Sequence, residues 1–164
     1  MNKKGFTLIE LLIVIAIMGI LSGALLLVIN PRAMIQKGRD AKRMEQIESL
    51  AKAINLALAE DEITLIVTGE CSECSSAVGD RDLDGNGWVK FTIPTDKQGL
   101  SKYIPTLPID PVNVSPTVFI FGSTLTDFEL NTYFEHPDNL TRMSTDGGDN
   151  ASMYEMGSNL TVLN

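Results

Sequence analysis

A nearly unbroken apolar run from residue 6 to residue 29 constrains the fold of this 164-residue chain more than any other feature. Within the run, Thr7, Glu10 and Ser22 are the departures from apolar or small side chains. As a helix that rises about 1.5 Å per residue, the run spans roughly 36 Å and can cross a bilayer. An ionised carboxylate in a membrane costs about 2.5–3.5 kcal/mol and normally has a partner. Because the run contains no basic side chain, Glu10 must find its partner elsewhere.

Two ordinary explanations account for only part of this run. A secretory signal peptide would use Lys3 and Lys4 as its basic region and residues 22–24 as its small-residue cleavage site. However, the apolar run continues through residues 25–29, and Glu10 lies inside the supposed apolar region. A plain transmembrane anchor explains the length of the run but not its carboxylate.

The residues Gly5-Phe6-Thr7-Leu8-Ile9-Glu10 and the apolar stretch after them resemble the processing signal of type IV pilins and of the pseudopilins of type II secretion. The resemblance implies that a prepilin peptidase removes the basic leader, residues 1–5, and that the new amino group of Phe6 is methylated. It also implies that Glu10 of one subunit meets the amino terminus of a neighbour when subunits stack into a helical filament. A charge that is unfavourable in a lone helix then becomes favourable in the assembly.

The same resemblance implies a location and further partners. The subunit would span the cytoplasmic (inner) membrane once through residues 6–29, with its head outside, and would enter a periplasmic or extracellular filament at an inner-membrane assembly platform. Basic-residue counting favours the opposite orientation, because only Lys3 and Lys4 precede the run while five basic residues soon follow it. We give the resemblance more weight, since the two cysteines of the head fit an oxidising compartment.

Charge divides the chain into a basic stem and an acidic head. Residues 1–60 contain eight Lys or Arg and five Asp or Glu, whereas residues 61–164 contain five and sixteen. Direct nucleic-acid binding is not expected, because phosphate contacts need clustered basic side chains. The acidic head suits cations or a basic surface, although acidity also serves solubility alone. The stem offers such a basic surface in Arg32, Lys37, Arg39, Lys42 and Arg43.

The stem is expected to continue as an amphipathic helix over residues 30–60. Asn30-Pro31 predicts a kink or a restart, because proline lacks an amide donor. Beyond it, apolar residues recur at spacings of three and four and form one helix face, which we expect to pack on the head. This face comprises Met44, Ile47, Leu50, Ala51, Ile54, Ala57 and Leu58.

The head, residues 61–164, changes to short runs of β-branched and aromatic residues bounded by turn residues. Strands are predicted at residues 64–68, 88–93, 117–121, 127–135 and 160–163. In the fourth strand, alternation places Glu129 and Asn131 on a face in contact with water. The predicted fold class is α+β, with a long N-terminal helix, transmembrane and then amphipathic, packed on a small antiparallel β-sheet head.

Cys71-Ser72-Glu73-Cys74 admits several interpretations. A zinc site needs two further Cys or His ligands, and the sequence contains one histidine, His136. A redox motif would begin a helix after a strand, whereas the surroundings here are acidic and loop-like. A structural disulfide in an oxidising compartment is favoured over a pair of free thiols.

Alternating carboxylates over residues 80–87 predict a calcium ion bound by the side chains of Asp80, Asp82 and Asp84 and by an oxygen of Asn86. The resemblance favours this, because major pseudopilins bind calcium in a head loop, although their ligand pattern is not reproduced here. An outside ligand would be needed, for which residues 146–149 are a candidate. The alternative is an ordinary metal-free turn before the next strand.

The sequence contains no catalytic constellation, so we do not expect an enzyme. We expect a structural subunit of a type IV pilus or of a type II secretion-like pseudopilus. Residues 107–111, Leu-Pro-Ile-Asp-Pro, resemble a loop of major pseudopilins, but Val112-Asn113 replaces the Trp-Gly-Asn that commonly follows there. The alternative is a non-polymerising, membrane-tethered binding or sensing domain outside the cytoplasm.

We predict that the mature chain begins at Phe6 and has a methylated amino terminus. Amino-terminal mass spectrometry of protein from its native membrane checks this. A terminus at Met1, or at Ala24 or Leu25 as a signal peptide would leave, contradicts it.

Overall fold

The computed structural model describes residues 5–28, 30–69 and 71–163, so the predicted basic leader, apart from Gly5, lies outside the described residues. By compactness the chain forms two units, Met1–Ile35 and Gln36–Asn164. The first unit contains an apolar helix and the beginning of a second helix. The second unit contains the rest of that second helix and the whole acidic head.

Helix α1 extends from Leu8 to Val28. Its segment Leu8–Leu25 has a mean hydropathy of 2.6, and none of that segment is buried. Among the described residues, α1 is the one helix that is long and apolar enough to cross a membrane, judged by length and composition. Because so large an apolar surface is exposed, α1 needs lipid or other helices around it.

A second helix, α2, begins at Pro31 and ends at Ala59. The side-chain oxygen of Asn30 accepts a hydrogen bond from the amide of Ala33 at 3.3 Å and so caps the helix. Pro31 occupies the first helical position, where the missing amide hydrogen costs nothing. The interruption predicted at Asn30-Pro31 is therefore a helix restart.

The predicted apolar face of α2 packs into the core of the second unit. Ile47, Leu50 and Ile54 are at most 1% exposed, and Met44 is partly buried. These side chains share one core with aromatic side chains of the head, namely Trp88, Phe91, Phe119, Phe121 and Phe128. This arrangement confirms the α+β fold class, with a long N-terminal apolar helix and small antiparallel sheets.

The head contains two antiparallel sheets. Its strands are β1 (Thr64–Leu65), β2 (Phe91–Thr92), β3 (Ile120–Ser123), β4 (Phe128–Thr132) and β5 (Tyr154–Gly157). Strand β1 pairs with β2, and β4 lies between β3 and β5. A short helix, α3 (Pro137–Met143), follows β4, and a turn of 3-10 helix covers Gly99–Lys102.

The predicted last strand is in the wrong place. Residues 160–163 form no strand, because the amides of Val162 and Leu163 donate to the side chain of Glu129, at 2.7 and 2.8 Å, instead of to a neighbouring strand. The strand that pairs with β4 on the side away from β3 is β5, which the β-propensity pattern missed since Glu155 and Gly157 lie within it.

The water-exposed face predicted for β4 is also wrong. Glu129 is 0% exposed and Asn131 is 3% exposed, although both alternate with core side chains as predicted. The C-terminal tail covers this face, because a Cβ built on Gly122 of the adjacent strand would lie 2.5 Å from the side chain of Leu163. Both faces of the central strand are therefore buried.

A buried arginine joins three segments of the second unit. Arg43 is 0% exposed on the inner face of α2. Its Nε and Nη2 donate to the carboxylate of Asp110 at 2.5 and 2.9 Å. Its Nη1 donates to Asp40 at 2.8 Å and to Glu135 at 2.7 Å. One guanidinium therefore connects the stem helix to the proline-containing loop and to the segment after β4.

The carboxylates around Arg43 make further hydrogen bonds. Asp40 accepts from the backbone amides of Glu135, at 2.9 Å, and His136, at 2.8 Å. Hydrogen bonds from Arg39 lower the pKa of Glu135 below its ordinary value, while burial opposes the shift. Burial disfavours the charge of Arg43, yet its hydrogen bonds outweigh this and raise its pKa. The buried guanidinium therefore has a hydrogen-bond acceptor for each of its three nitrogens.

We predict that replacing Arg43 by methionine lowers the free energy of unfolding by about 3–5 kcal/mol, because buried carboxylates lose the cation they share. The matched control is Lys37→Met on the same helix, which breaks the exposed Lys37–Asp138 pair at 3.1 Å and costs at most about 1 kcal/mol. Denaturant unfolding of the full chain in detergent, followed by the fluorescence of the single tryptophan, compares the two. If both substitutions lower the free energy of unfolding by the same amount, Arg43 does not stabilise the fold through its buried ion pairs.

Candidate functional site

The predicted cleavage site lies just before α1. Gly5 and Phe6 precede the first helical residue, and Phe6 is 87% exposed. A Cβ built on Gly5 would meet no heavy atom within 4 Å, so packing within the chain does not require glycine there. The peptide bond between the two residues is accessible to an enzyme, and a requirement for glycine would have to come from that enzyme.

Thr7 and Glu10 form a capping box at the N-terminus of α1. Thr7 Oγ1 accepts from the amide of Glu10 at 3.3 Å. Glu10 Oε2 accepts from the amide of Thr7 at 2.8 Å and from its hydroxyl at 2.7 Å. The pattern Thr-x-x-Glu before an apolar run is the sequence signature of this motif. Glu10 therefore stabilises its own helix, a role that the assembly hypothesis alone did not reveal.

The capping box uses one oxygen of Glu10 and leaves the other exposed. Both hydrogen bonds from Thr7 end on Oε2. Within residues 5–28, 30–69 and 71–163, no basic nitrogen lies within 4.0 Å of this carboxylate. The carboxylate can therefore cap α1 and receive a cation from another molecule at the same time.

Cys71 and Cys74 form a disulfide, with their Cα atoms 5.3 Å apart. Cys74 is 1% exposed, and its carbonyl accepts from the amide of Phe121 in β3 at 2.9 Å. The bridge therefore closes a small loop that is attached to the three-stranded sheet. Of the interpretations open from the sequence, the disulfide is supported over a pair of free thiols and over thiolate ligands to zinc.

The predicted calcium residues form a tight turn. Asp80, Asp82 and Asp84 are exposed and, within the described chain, do not bring one oxygen each to within 4.8 Å of one another. The carboxylate of Asp84 accepts from the backbone and side-chain nitrogens of Asn86, both at 2.9 Å. The Asn86 carbonyl accepts from Lys90 Nζ at 2.8 Å. In this geometry the carboxylates of Asp80, Asp82 and Asp84 are not gathered around one point. Calcium in this loop stays a prediction.

A glycine explains why the turn is compact. Gly85 has φ of +89°, a left-handed conformation that favours glycine. A Cβ on Gly85 would lie 2.1 Å from the carbonyl oxygen of Phe91, so the turn packs directly on β2. The turn places Trp88 in the core, where its indole nitrogen donates to the carbonyl of Pro108 at 3.0 Å.

The Asp110 side chain is a site residue whose role the sequence pattern left unassigned. Besides Arg43, it accepts from the amides of Val112 and Asn113 at 2.8 and 3.1 Å. An Asp followed by proline in a loop is a turn signal, but the distant arginine that it meets cannot be read from local pattern. The role that the structure assigns to Asp110 is to fasten the loop to α2.

Comparison with known proteins identifies one part of the chain. Residues 1–26 match the family described as the prokaryotic N-terminal methylation motif, which is the signal of type IV pilins and pseudopilins. No curated protein and no solved structure matches the chain. The match includes Gly5, Phe6 and Glu10 and does not extend into the head.

The intact chain, isolated from its native compartment without reductant, should be two hydrogen atoms lighter than the reduced chain and should resist alkylation, because Cys71 and Cys74 are bonded to each other. Intact-mass spectrometry before and after alkylation measures both. The control is reduced, unfolded protein, in which both thiols must react. Rapid alkylation of the unreduced native protein would show free thiols instead.

Proposed function

We propose, from the pilin and pseudopilin signal at residues 1–26, that this chain is a structural subunit of a type IV pilus or of a type II secretion-like pseudopilus. Prepilin peptidase cuts it after Gly5, the amino group of Phe6 is methylated, and the subunits polymerise through α1. The match to the methylation motif is the observation on which the proposal rests.

The exposure of α1 supports polymerisation. Its side chains from Leu8 to Leu25 are all exposed in the chain, although the segment is strongly apolar. Such a helix is stable in a bilayer before assembly and among neighbouring helices after it. The acidic head, by contrast, buries its aromatic residues in a core that it shares with α2 of the same chain.

The geometry of Glu10 suits a contact between subunits. Cleavage after Gly5 turns the backbone nitrogen of Phe6 into a cationic amino group. In a stack of α1 helices, the free oxygen of Glu10 accepts the amino group of a neighbour while the other oxygen keeps its hydrogen bonds to Thr7. Both charges lie where water is scarce, so each gains more from the pair than it would in solution.

The attachment of the head to the stem supports a structural role. Lys37, Arg39 and Arg43 of α2 each bind a carboxylate beyond residue 60. Each of these ion pairs joins a basic residue of the stem to an acidic residue of the head. In a filament these ion pairs keep the head of each subunit attached to its own α2 helix.

The second candidate is a membrane-tethered binding or sensing domain that does not polymerise. The capping box favours it, because hydrogen bonding to Thr7 accounts for Glu10 without any neighbouring subunit. In that case the carboxylate is needed for helix initiation, and its charge is not needed as such.

Two matched substitutions separate these candidates. Glu10→Gln keeps a capping side chain, since glutamine also serves at this position, but it removes the negative charge. Thr7→Val removes the capping hydroxyl and keeps the charge. We expect Glu10→Gln to abolish filaments or reduce them strongly, and Thr7→Val to retain most of them. Electron microscopy of cells counts the filaments, with subunit amount and processing matched by immunoblot.

The opposite pattern would contradict the assembly role. If Glu10→Gln forms filaments as the wild type does, the charge of Glu10 is not used between subunits. If Thr7→Val alone fails, Glu10 acts through the capping box. A processed wild-type chain that never forms filaments supports the tethered domain.

A further inference from the structure

Two buried carboxylates face the covered side of the three-stranded sheet. Glu129 in β4 is 0% exposed, and Glu155 in β5 is 3% exposed. In the antiparallel register Glu129 is opposite Gly157 and Asn131 is opposite Glu155, so Glu129, Asn131 and Glu155 point to the same face. Two carboxylates on neighbouring positions of a buried face repel each other unless something neutralises them.

Each of these carboxylates has one oxygen that lacks a partner. Glu129 Oε2 accepts from the tail amides of Val162 and Leu163, and Glu155 Oε2 accepts from the amide of Asn150 at 3.1 Å. Glu129 Oε1 and Glu155 Oε1 are buried without a hydrogen bond from any donor group, and the two carboxyl groups lie against each other. Within the described chain, neither carboxylate has a basic nitrogen within 4.0 Å. A buried oxygen without a partner lowers the stability of the fold, so a bound ion, a water molecule or a proton is expected beside these atoms.

Other oxygen donors surround the pair. One carboxylate oxygen from each of Glu129, Asp149 and Glu155 lies within 4.8 Å of the other two. The side-chain oxygen of Asn131, on the same face, is also buried without a hydrogen bond. The loop that contributes Asp149 packs tightly here, because a Cβ on Gly148 would lie 1.9 Å from Glu155 Oε2.

We propose that Glu129, Asp149 and Glu155 bind a hard divalent cation of the calcium class, with the side-chain oxygen of Asn131 as a further donor. This site is separate from the turn at residues 80–87 and does not rest on the proposed function of the chain.

The chemistry of the donors determines the class of cation. All of them are oxygens and most are carboxylates, which suits calcium better than metals that prefer sulfur or nitrogen. The donors come from two strands and a loop, and the exposed side of Asp149 leaves room for water, as the six to eight ligands typical of calcium require. A proton shared by Glu129 and Glu155 is the competing way to neutralise the pair.

Cation binding would also position the C-terminal tail. The carboxylate of Glu129 reaches the proposed cation through Oε1 and the amides of Val162 and Leu163 through Oε2. Fixing that side chain strengthens its hold on the tail. Cation release should therefore make the tail more accessible.

Isothermal titration calorimetry of the full chain in detergent tests the proposal. The protein is first stripped of metal with a chelator and is then titrated with calcium chloride. We expect one calcium ion per chain. Glu155→Gln and Glu129→Gln should each weaken calcium affinity by about tenfold or more, and Asp149→Asn should weaken it less because this ligand is exposed. The matched control, Asp82→Asn in the separate turn, should leave affinity unchanged. Calcium should also slow carboxypeptidase digestion of the wild-type tail.

Several results would overturn the proposal. They are an absence of calcium binding, binding that survives both glutamate substitutions, or binding lost in Asp82→Asn alone. A pair that takes up a proton and no calcium would also overturn it. If circular dichroism shows that a glutamate variant is unfolded, Asp149→Asn decides the question, since its side chain lies outside the core.

Discussion

The guanidinium of Arg43 is the contact on which the arrangement of the second unit depends. It is fully buried and pairs with Asp40 of its own helix and with Asp110 and Glu135 of the head. A buried charge is tolerated only when its partners are in place, so none of these segments can move alone. The bidentate contact with Asp110 fastens the loop, whose Pro108 carbonyl in turn holds the indole of Trp88 in the core.

The two long helices differ in the burial of their apolar surfaces. Helix α2 buries Ile47, Leu50 and Ile54 against the aromatic side chains of the head. Helix α1 is more apolar, yet its apolar side chains up to Leu25 are all exposed. The head and α2 therefore bury their apolar residues against each other, whereas the exposed apolar surface of α1 needs lipid or other helices from outside the chain. This contrast is the physical basis for the proposal that α1 lies in a membrane and then packs against other subunits.

The sequence pattern predicted the structure correctly where neighbouring residues determine the conformation. The length of α1, the restart at Pro31 and the buried face of α2 all follow from hydropathy, proline chemistry and helical periodicity. The position of Glu10 and the glycine before Phe6 identified the signal that residues 1–26 match. The basic surface that the sequence showed on the stem is also paired with the head, because Lys37, Arg39 and Arg43 form ion pairs with acidic residues of the head.

Local pattern failed where contacts join distant residues. Arg43 belongs to an ordinary basic run, and its burial follows only from carboxylates 67 and 92 positions away. The alternation in β4 was read correctly, but the C-terminal tail that buries Glu129 could not be anticipated from it. Residues 160–163 have strand-like composition, yet their amides are satisfied by a side chain. In each case a long-range contact overrides the local preference.

The proposed contact between subunits, from Glu10 of one α1 helix to the amino terminus of another, can be seen in a cryo-electron microscopy structure of filaments isolated from the native cell. We expect a core of packed α1 helices, in which Glu10 of one subunit lies within about 4 Å of the amino group of Phe6 in the next. A filament core that lacks α1, or a Glu10 carboxylate distant from every amino terminus, would contradict it.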